Sequence, residues 1–147
     1  MTYETDQLAE LIDQKQDTLA RLLEIGQKQF ALAKDGEIAE LLDVLAYKQR
    51  LIRELGTTER ALDPFRNQEP DSRRWRNEEV RRRCADGIER CKRLLDAVMI
   101  QEHKSEDELR RRRDETALRL EEVRHAGKAR GAYAAAPARP SQIDLSR

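Results

Sequence analysis

Between residues 38 and 62 the chain steps by three and four in strict alternation: Ile38, Leu41, Leu45, Lys48, Ile52, Leu55, Glu59 and Leu62. That spacing belongs to a helix whose stripe faces another helix, not to a strand, which alternates every second residue. Leu42, Val44 and Leu51 widen the face beyond the seam, so this helix meets more than one neighbour. Asp63-Pro64 is expected to close it, because proline disfavours helical geometry in the residue before it.

The flanking segments carry the same period. Upstream, Leu8, Leu11, Ile12, Leu19, Leu22, Leu23, Phe30 and Ala33 mark a first amphipathic helix from Thr5 to Lys34. Thr2 or Thr5 can cap it, and Asp35-Gly36 ends it, the glycine taking a left-handed C′ conformation and the aspartate free to cap the next helix. Downstream, a short loop over 65–70 leads to Asp71 or Ser72 as the N-cap of a third helix. Trp75, Val80, Cys84, Ile88, Cys91, Leu94, Leu95 and Val98 form its apolar side. Residues 101–108 then lack any apolar side chain, and periodicity resumes with Leu109, Thr116, Ala117, Leu120 and Val123. Ser105 and Glu108 have capping-box spacing, so a helix running straight through and one restarting at Ser105 both remain open.

These elements predict an all-α fold: an antiparallel helical hairpin plus a long third helix, a three-helix coiled-coil bundle with an overhanging C-terminal helical segment. Its core is drawn from Ile38, Leu41, Leu45, Ile52, Leu55, Leu62, Cys84, Ile88, Cys91, Leu95 and Val98. Residues 1–126 make the helical domain; 127–147, rich in Ala and Pro, read as a flexible tail. Composition agrees with this: 39% charged against 38% hydrophobic residues, and 4% aromatic, supply a narrow helical core and disfavour sandwiches, barrels or a large catalytic globule.

Hairpin geometry sets an expected register. About the first turn, residues whose numbers add to about 71 lie side by side, and about the second loop the sum is about 133. The second helix then pairs with the third from Asp71 to Ala97, and Gly26, Ala46 and Gly87 share one level. The stripe of Leu109, Leu120 and Val123 is left without an intramolecular partner unless the chain folds back. A second copy of the chain or a foreign amphipathic helix are the other candidates to cover it.

Charge and motif content bound the chemistry. Lys plus Arg and Asp plus Glu each number 29, and the net charge is zero. The clusters Arg81-Arg82-Arg83 and Arg110-Arg111-Arg112-Arg113 follow acids four positions upstream, as in Glu78 with Arg82 and Glu108 with Arg112. This is the order of a self-paired helix surface, and nucleic-acid binding is not expected. There is no Gly-rich phosphate loop, no Cys-x-x-Cys and no His-Glu-x-x-His, so no metal, cofactor or enzymatic activity is expected. Cys84 and Cys91 read as small buried hydrophobes in a reducing compartment. With no apolar run of membrane-spanning length and no signal-peptide pattern in Met1-Thr2-Tyr3-Glu4-Thr5-Asp6, a cytoplasmic protein is expected. Lys48 and Glu59, polar within the second seam, are read as laying their stems along it or setting its register.

The stretch Asp35-Gly36-Glu37-Ile38-Ala39-Glu40-Leu41-Leu42-Asp43-Val44-Leu45, followed by Lys48-Gln49-Arg50-Leu51-Ile52-Arg53-Glu54-Leu55, resembles the hairpin of the FlgN group of flagellar export chaperones. A Gly/Asp turn, a Leu-rich stretch and Lys-Gln leading into a second apolar cluster carry the likeness. The long third helix and a small-residue segment bearing Tyr133 extend it. The resemblance implies a cytoplasmic chaperone that binds amphipathic terminal helices of hook-filament junction (hook-associated) proteins, prevents their premature assembly and delivers them to the type III export apparatus. It implies a client site in which Leu109, Thr116, Leu120 and Val123 supply contacts, Arg112 and Arg113 select charge, and Tyr133 clamps from the tail. The alternative is a structural or adaptor coiled coil in which the stripe pairs with a second copy as a homodimer.

Overall fold

The computed structural model describes residues 2–135, and side chains through residue 133; the portion of the expected tail at 136–147 lies outside the described residues. The fold is all-α: α1 spans Glu4–Asp35, α2 Ile38–Arg66 and α3 Glu78–Ala135, with a 3₁₀ turn at Pro70–Ser72 between α2 and α3. The chain divides into two compact units, Met1–Glu108 and Leu109–Arg147.

The first unit is a helical bundle. Tyr3, in an extended conformation, is the N-cap of α1, and its N–H donates to the Asp6 carboxylate at 3.3 Å. Thr5, one of the expected caps, lies inside the helix, and its hydroxyl donates instead to the Arg74 carbonyl at 2.6 Å. At the other end Gly36 adopts φ 73°, the left-handed conformation a side chain resists. The Gly36 N–H donates to Ala33 O at 3.3 Å and the Glu37 N–H to Leu32 O at 3.0 Å, satisfying carbonyls the helix end would orphan. Asp35 stays in α1, and Glu37 takes the N-cap position of α2.

Buried positions on α1 include Thr5, Leu8, Ile12, Leu19, Leu22, Gly26, Gln29 and Ala33, a three-four repeat once the half-buried Lys15 is added. On α2 they are Leu41, Val44, Lys48, Leu51, Thr58, Leu62 and Phe65, with Leu55 half-buried. The predicted α2 seam is therefore right at Leu41, Lys48, Leu55 and Leu62 and rotated at the alternate positions. Val44 and Leu51 are buried, Leu45 is half-buried, and Ile38 and Ile52 are exposed. The reason is visible in the last turns: the rotated set places Thr58 and Phe65 inward, whereas the predicted one would have placed Glu59 and Arg66 there.

Helix α2 also outlasts its proline. Pro64 lies within α2, where it removes one backbone donor in the final turn, a small loss so close to the end, and Phe65 is buried beyond it. Arg73 donates to the Phe65 carbonyl at 2.6 Å and so caps that terminus.

The third helix starts at Glu78, not at Asp71 or Ser72, with Asn77 Oδ1 accepting the Val80 N–H at 2.9 Å. The longer connection moves the register. Lys15 meets Glu59 and Gln29 meets Lys48 across α1 and α2, antiparallel as expected but displaced by about one to two helical turns from the expected pairing. Across α2 and α3, however, Lys48 meets Glu102 where the expected register would set it beside Ala85. Along α1 and α3, which run parallel, Gly26 lies against Gln101 and Gly87 against Ile12, each pair 75 positions apart, so Gly26 and Gly87 do not share a level. A Cβ at position 87 would stand 2.9 Å from Ile12 Cγ2, so this glycine is what lets the two helices approach.

On α3 the inward positions of the first unit are Cys84, Gly87, Cys91 and Ser105, with Ile88, Leu94, Val98 and Gln101 half-buried. Leu95, predicted for the core, is 41% exposed, and Leu94 takes its place. One cluster joins Leu8, Leu11, Ile12, Leu19, Leu22, Leu51, Leu62, Phe65, Cys84 and Cys91, with Trp75 packed against it. A second joins Leu32, Ala33, Leu41 and Val44 at the hairpin end. Full burial of a side chain such as Leu19 or Leu51 contributes about 1.5–3 kcal/mol, and these are the most completely buried large apolar residues of the unit.

In the second unit α3 is helical from Leu109 through Gly127 and Gly131 to Ala135. The boundary read at 126/127 therefore falls inside a helix, and residues 127–135 are not a coil. Two glycines cost about 1 kcal/mol each in a helix interior, which is why composition pointed to a tail there.

Candidate partner-binding surface

Every residue assigned to a client site lies in the second unit, on α3. Leu109 is 41% exposed, Leu120 60% and Val123 66%. At about 100° of rotation per residue, Leu109, Thr116, Leu120 and Val123 fall within about 60° of one another on a single face. The Thr116 hydroxyl donates to the Arg112 carbonyl at 2.9 Å, which satisfies it within the helix and leaves the stripe no unpaired polar atom at that position.

Arg112, half-buried, and Arg113, exposed, border the stripe on opposite sides. Arg113 approaches Asp114 only loosely, at 3.7 Å, and Arg111 pairs with Glu115 at 2.5 Å on the far side of the helix. Tyr133 is 89% exposed, but it sits on the helix and not on a tail, and the same rotation leaves it about a third of a turn from Leu109. The geometry thus groups four of the seven residues, flanks them with two, and leaves Tyr133 apart. Leu118, 61% exposed and about half a turn from the stripe, breaks the period and so carries no sequence signal of a shared face.

The polar groups of the first unit are arranged differently. Lys48, 9% exposed, donates to Gln29 Oε1 at 3.0 Å and pairs with Glu102, tying one residue of each helix into a layer that crosses the bundle. Glu59 is bracketed by Lys15 at 2.7 Å and by Arg66. Burial alone would raise its carboxyl, but the hydrogen bonds from Lys15 and Arg66 outweigh that and hold it below the usual glutamate range. Burial pushes both the Cys84 and Cys91 thiols up, against the lowering influence of Arg73 and Lys15 respectively, and Cys91 Sγ donates to the Ile12 carbonyl at 3.8 Å. At the α1 N-terminus Arg76 bonds Asp6 at 2.7 Å and stacks over Tyr3 at 5.2 Å; its hydrogen bond lowers the Asp6 carboxyl. These contacts fasten elements together.

Among the described residues no three His, Cys, Asp or Glu side chains converge as a metal site, and no helix is long and apolar enough to cross a membrane. An open cleft of about 460 Å³ beside the α1 N-terminus is lined by Tyr3, Thr5, Arg73 and Arg74, and the Thr5 hydroxyl there is already committed to Arg74. No family model, no curated protein and no solved structure matches the chain.

Proposed function

We propose that this protein is a non-enzymatic helix-binding chaperone of the FlgN-like export type. It acts in the cytoplasm, covers amphipathic terminal helices of hook-filament junction proteins, and hands them to the type III export apparatus. The observation that carries the reading is the exposed stripe of Leu109, Leu120 and Val123 on one face of α3. Covering three such side chains at these exposures contributes on the order of 3 kcal/mol, enough to hold a partner helix when flanking contacts add to it. Masking of this kind is a binding equilibrium and requires no nucleotide.

The test is light scattering coupled to size-exclusion chromatography, with the hook-filament junction proteins of the same genome as partners. A complex of discrete mass is expected, and it should be lost on replacing Leu109, Leu120 and Val123 by Ser in a chain whose helical content is unchanged. Affinity that survives those changes overturns the site; a homodimer that ignores those proteins overturns the chaperone reading in favour of a structural coiled coil.

A further inference from the structure

Although the whole chain is neutral, residues 109–130 carry eight Lys or Arg against four Asp or Glu. Their distribution around the helix is not even. At about 100° per residue, Arg113 and Arg124 lie within about 60° of Leu109 on one side of the stripe, and Arg112, Arg119 and Arg130 within about 80° on the other. The four acids, Asp114, Glu115, Glu121 and Glu122, all fall about 120–140° away, on the back of the helix. Two ion pairs lie away from the stripe, Glu115 with Arg111 and Glu121 with His125 at 3.9 Å, while Arg113 on its margin reaches Asp114 only at 3.7 Å.

The exposed apolar face is therefore bounded by cations on both sides. From this we infer that its occupant is an amphipathic helix with acidic residues on both flanks of its own apolar seam. A second copy of this chain does not fit. Whether two copies paired parallel or antiparallel, arginine flank would meet arginine flank, an arrangement that like charges disfavour. Nucleic acid fits the cations but leaves the stripe of Leu109, Leu120 and Val123 in water, whereas a helix uses both features at once. The inference rests on the helix-binding reading above and adds the charge pattern that selects among helices.

The probes are labelled synthetic helices of about 20 residues, sharing a Leu seam at three-four spacing. One carries Glu beside the seam, one Gln there, one Lys there, and a fourth has the composition of the first with its Glu moved to the back of the helix. Anisotropy titration of the full chain should show the Glu-flanked helix binding about tenfold or more tighter than the Gln-flanked one, with the Lys-flanked helix weakest. The helix with Glu at the back should behave like the Gln-flanked one, which separates flank geometry from net charge. The preference should shrink between about 0.05 and about 0.5 M salt. Arg113→Glu with Arg124→Glu should reduce it and Arg113→Lys with Arg124→Lys preserve it, circular dichroism being unchanged in both.

Equal binding of the Glu- and Gln-flanked helices, with both lost in the Leu-to-Ser chain, overturns the charge inference and leaves helix binding standing. No binding of any probe or of the junction proteins overturns both. Displacement of the Glu-flanked helix by a short DNA duplex, or a homodimer dissolved by the Leu-to-Ser changes, overturns the assignment in favour of nucleic acid or of a second copy.

Discussion

Leu51 in α2 and Leu120 in α3 belong to equally regular apolar stripes, yet Leu51 keeps 1% of its surface in solvent and Leu120 keeps 60%. The periodicity is shared; the residues around it differ. In the first unit the contact positions include Gly26, Gly87, Thr18, Thr58 and Ser105, small or back-bonding residues over which helices close. In the second, Arg112, Arg113 and Arg124 stand beside the stripe. Spacing identifies a face, and the residues at its margins say what kind of neighbour that face receives.

The largest effect should separate the two leucines. Leu51→Ala should lower unfolding free energy by about 2–5 kcal/mol in urea titration, because it opens a cavity among packed neighbours. Leu120→Ala should stay within about 0.5 kcal/mol of the parent. Equal losses would mean that the stripe is covered in solution and would break the comparison.

The next contrast concerns polar groups. Lys48→Met leaves Gln29 Oε1 and Glu102 without the ammonium that joins the three helices and should cost about 1–3 kcal/mol. Adding Gln29→Leu should recover part of this, since an apolar pair replaces a half-broken network. Arg113→Met in the second unit should change stability by no more than about 0.5 kcal/mol.

These same residues explain how much was legible beforehand. Three helices, their order and the Gly36 turn follow from spacing and punctuation. In α2 and α3 every second seam position was also legible: Leu41, Lys48, Leu55 and Leu62, then Cys84, Cys91 and Val98. Of the alternates, Leu45 and Ile88 pack half-buried against the core clusters, whereas Ile38, Ile52 and Leu95 are exposed. Hydropathy ranks Ile52 alike with Leu51, and Leu95 with Leu94, and it gives no weight to Gly87 or Gln101, which α1 actually meets. Phe65 and Thr58 held the missing signal, since only the rotated seam buries both. Register across α2 and α3 failed for a different reason: the connection from Asn67 to Asn77 includes extended backbone at Arg73, so the return begins later than a tight loop would allow. The exposed stripe was legible as a stripe, while the charge margin around it emerges only when the acids are placed on the back of the helix.

Ser105 offers a gain where the previous changes give losses. It is 1% exposed, and its hydroxyl has no hydrogen-bond partner among the described residues. Ser105→Ala removes that unmet desolvation cost and raises helix propensity, so thermal and urea unfolding should show stabilisation of about 1 kcal/mol. Thr116→Ala, where the hydroxyl is exposed and already bonded to Arg112 O, should move stability by no more than about 0.5 kcal/mol.

The smallest expected effect is a pH dependence confined to the bundle. Hydrogen bonds from Lys15 and Arg66 overcome burial and lower the Glu59 carboxyl from its ordinary 4.5, so the folded state holds this proton less tightly than the unfolded chain. The resulting stabilisation is complete above the unfolded value and is lost as pH falls through the lowered folded one. With the side chain 32% exposed, solvent screening limits it to less than about 1 kcal/mol. Glu59→Gln should therefore narrow its stability deficit relative to the parent as pH is taken below about 5, read by urea titration at each pH. The exposed Arg111–Glu115 pair of the second unit, a single helical turn in solvent, should contribute only a few tenths of a kcal/mol and fade with salt. A Glu59→Gln deficit that stays constant from neutral to acid pH would show that Lys15 and Arg66 hold the uncharged side chain as well as the carboxylate, making the contact one of packing and not of charge.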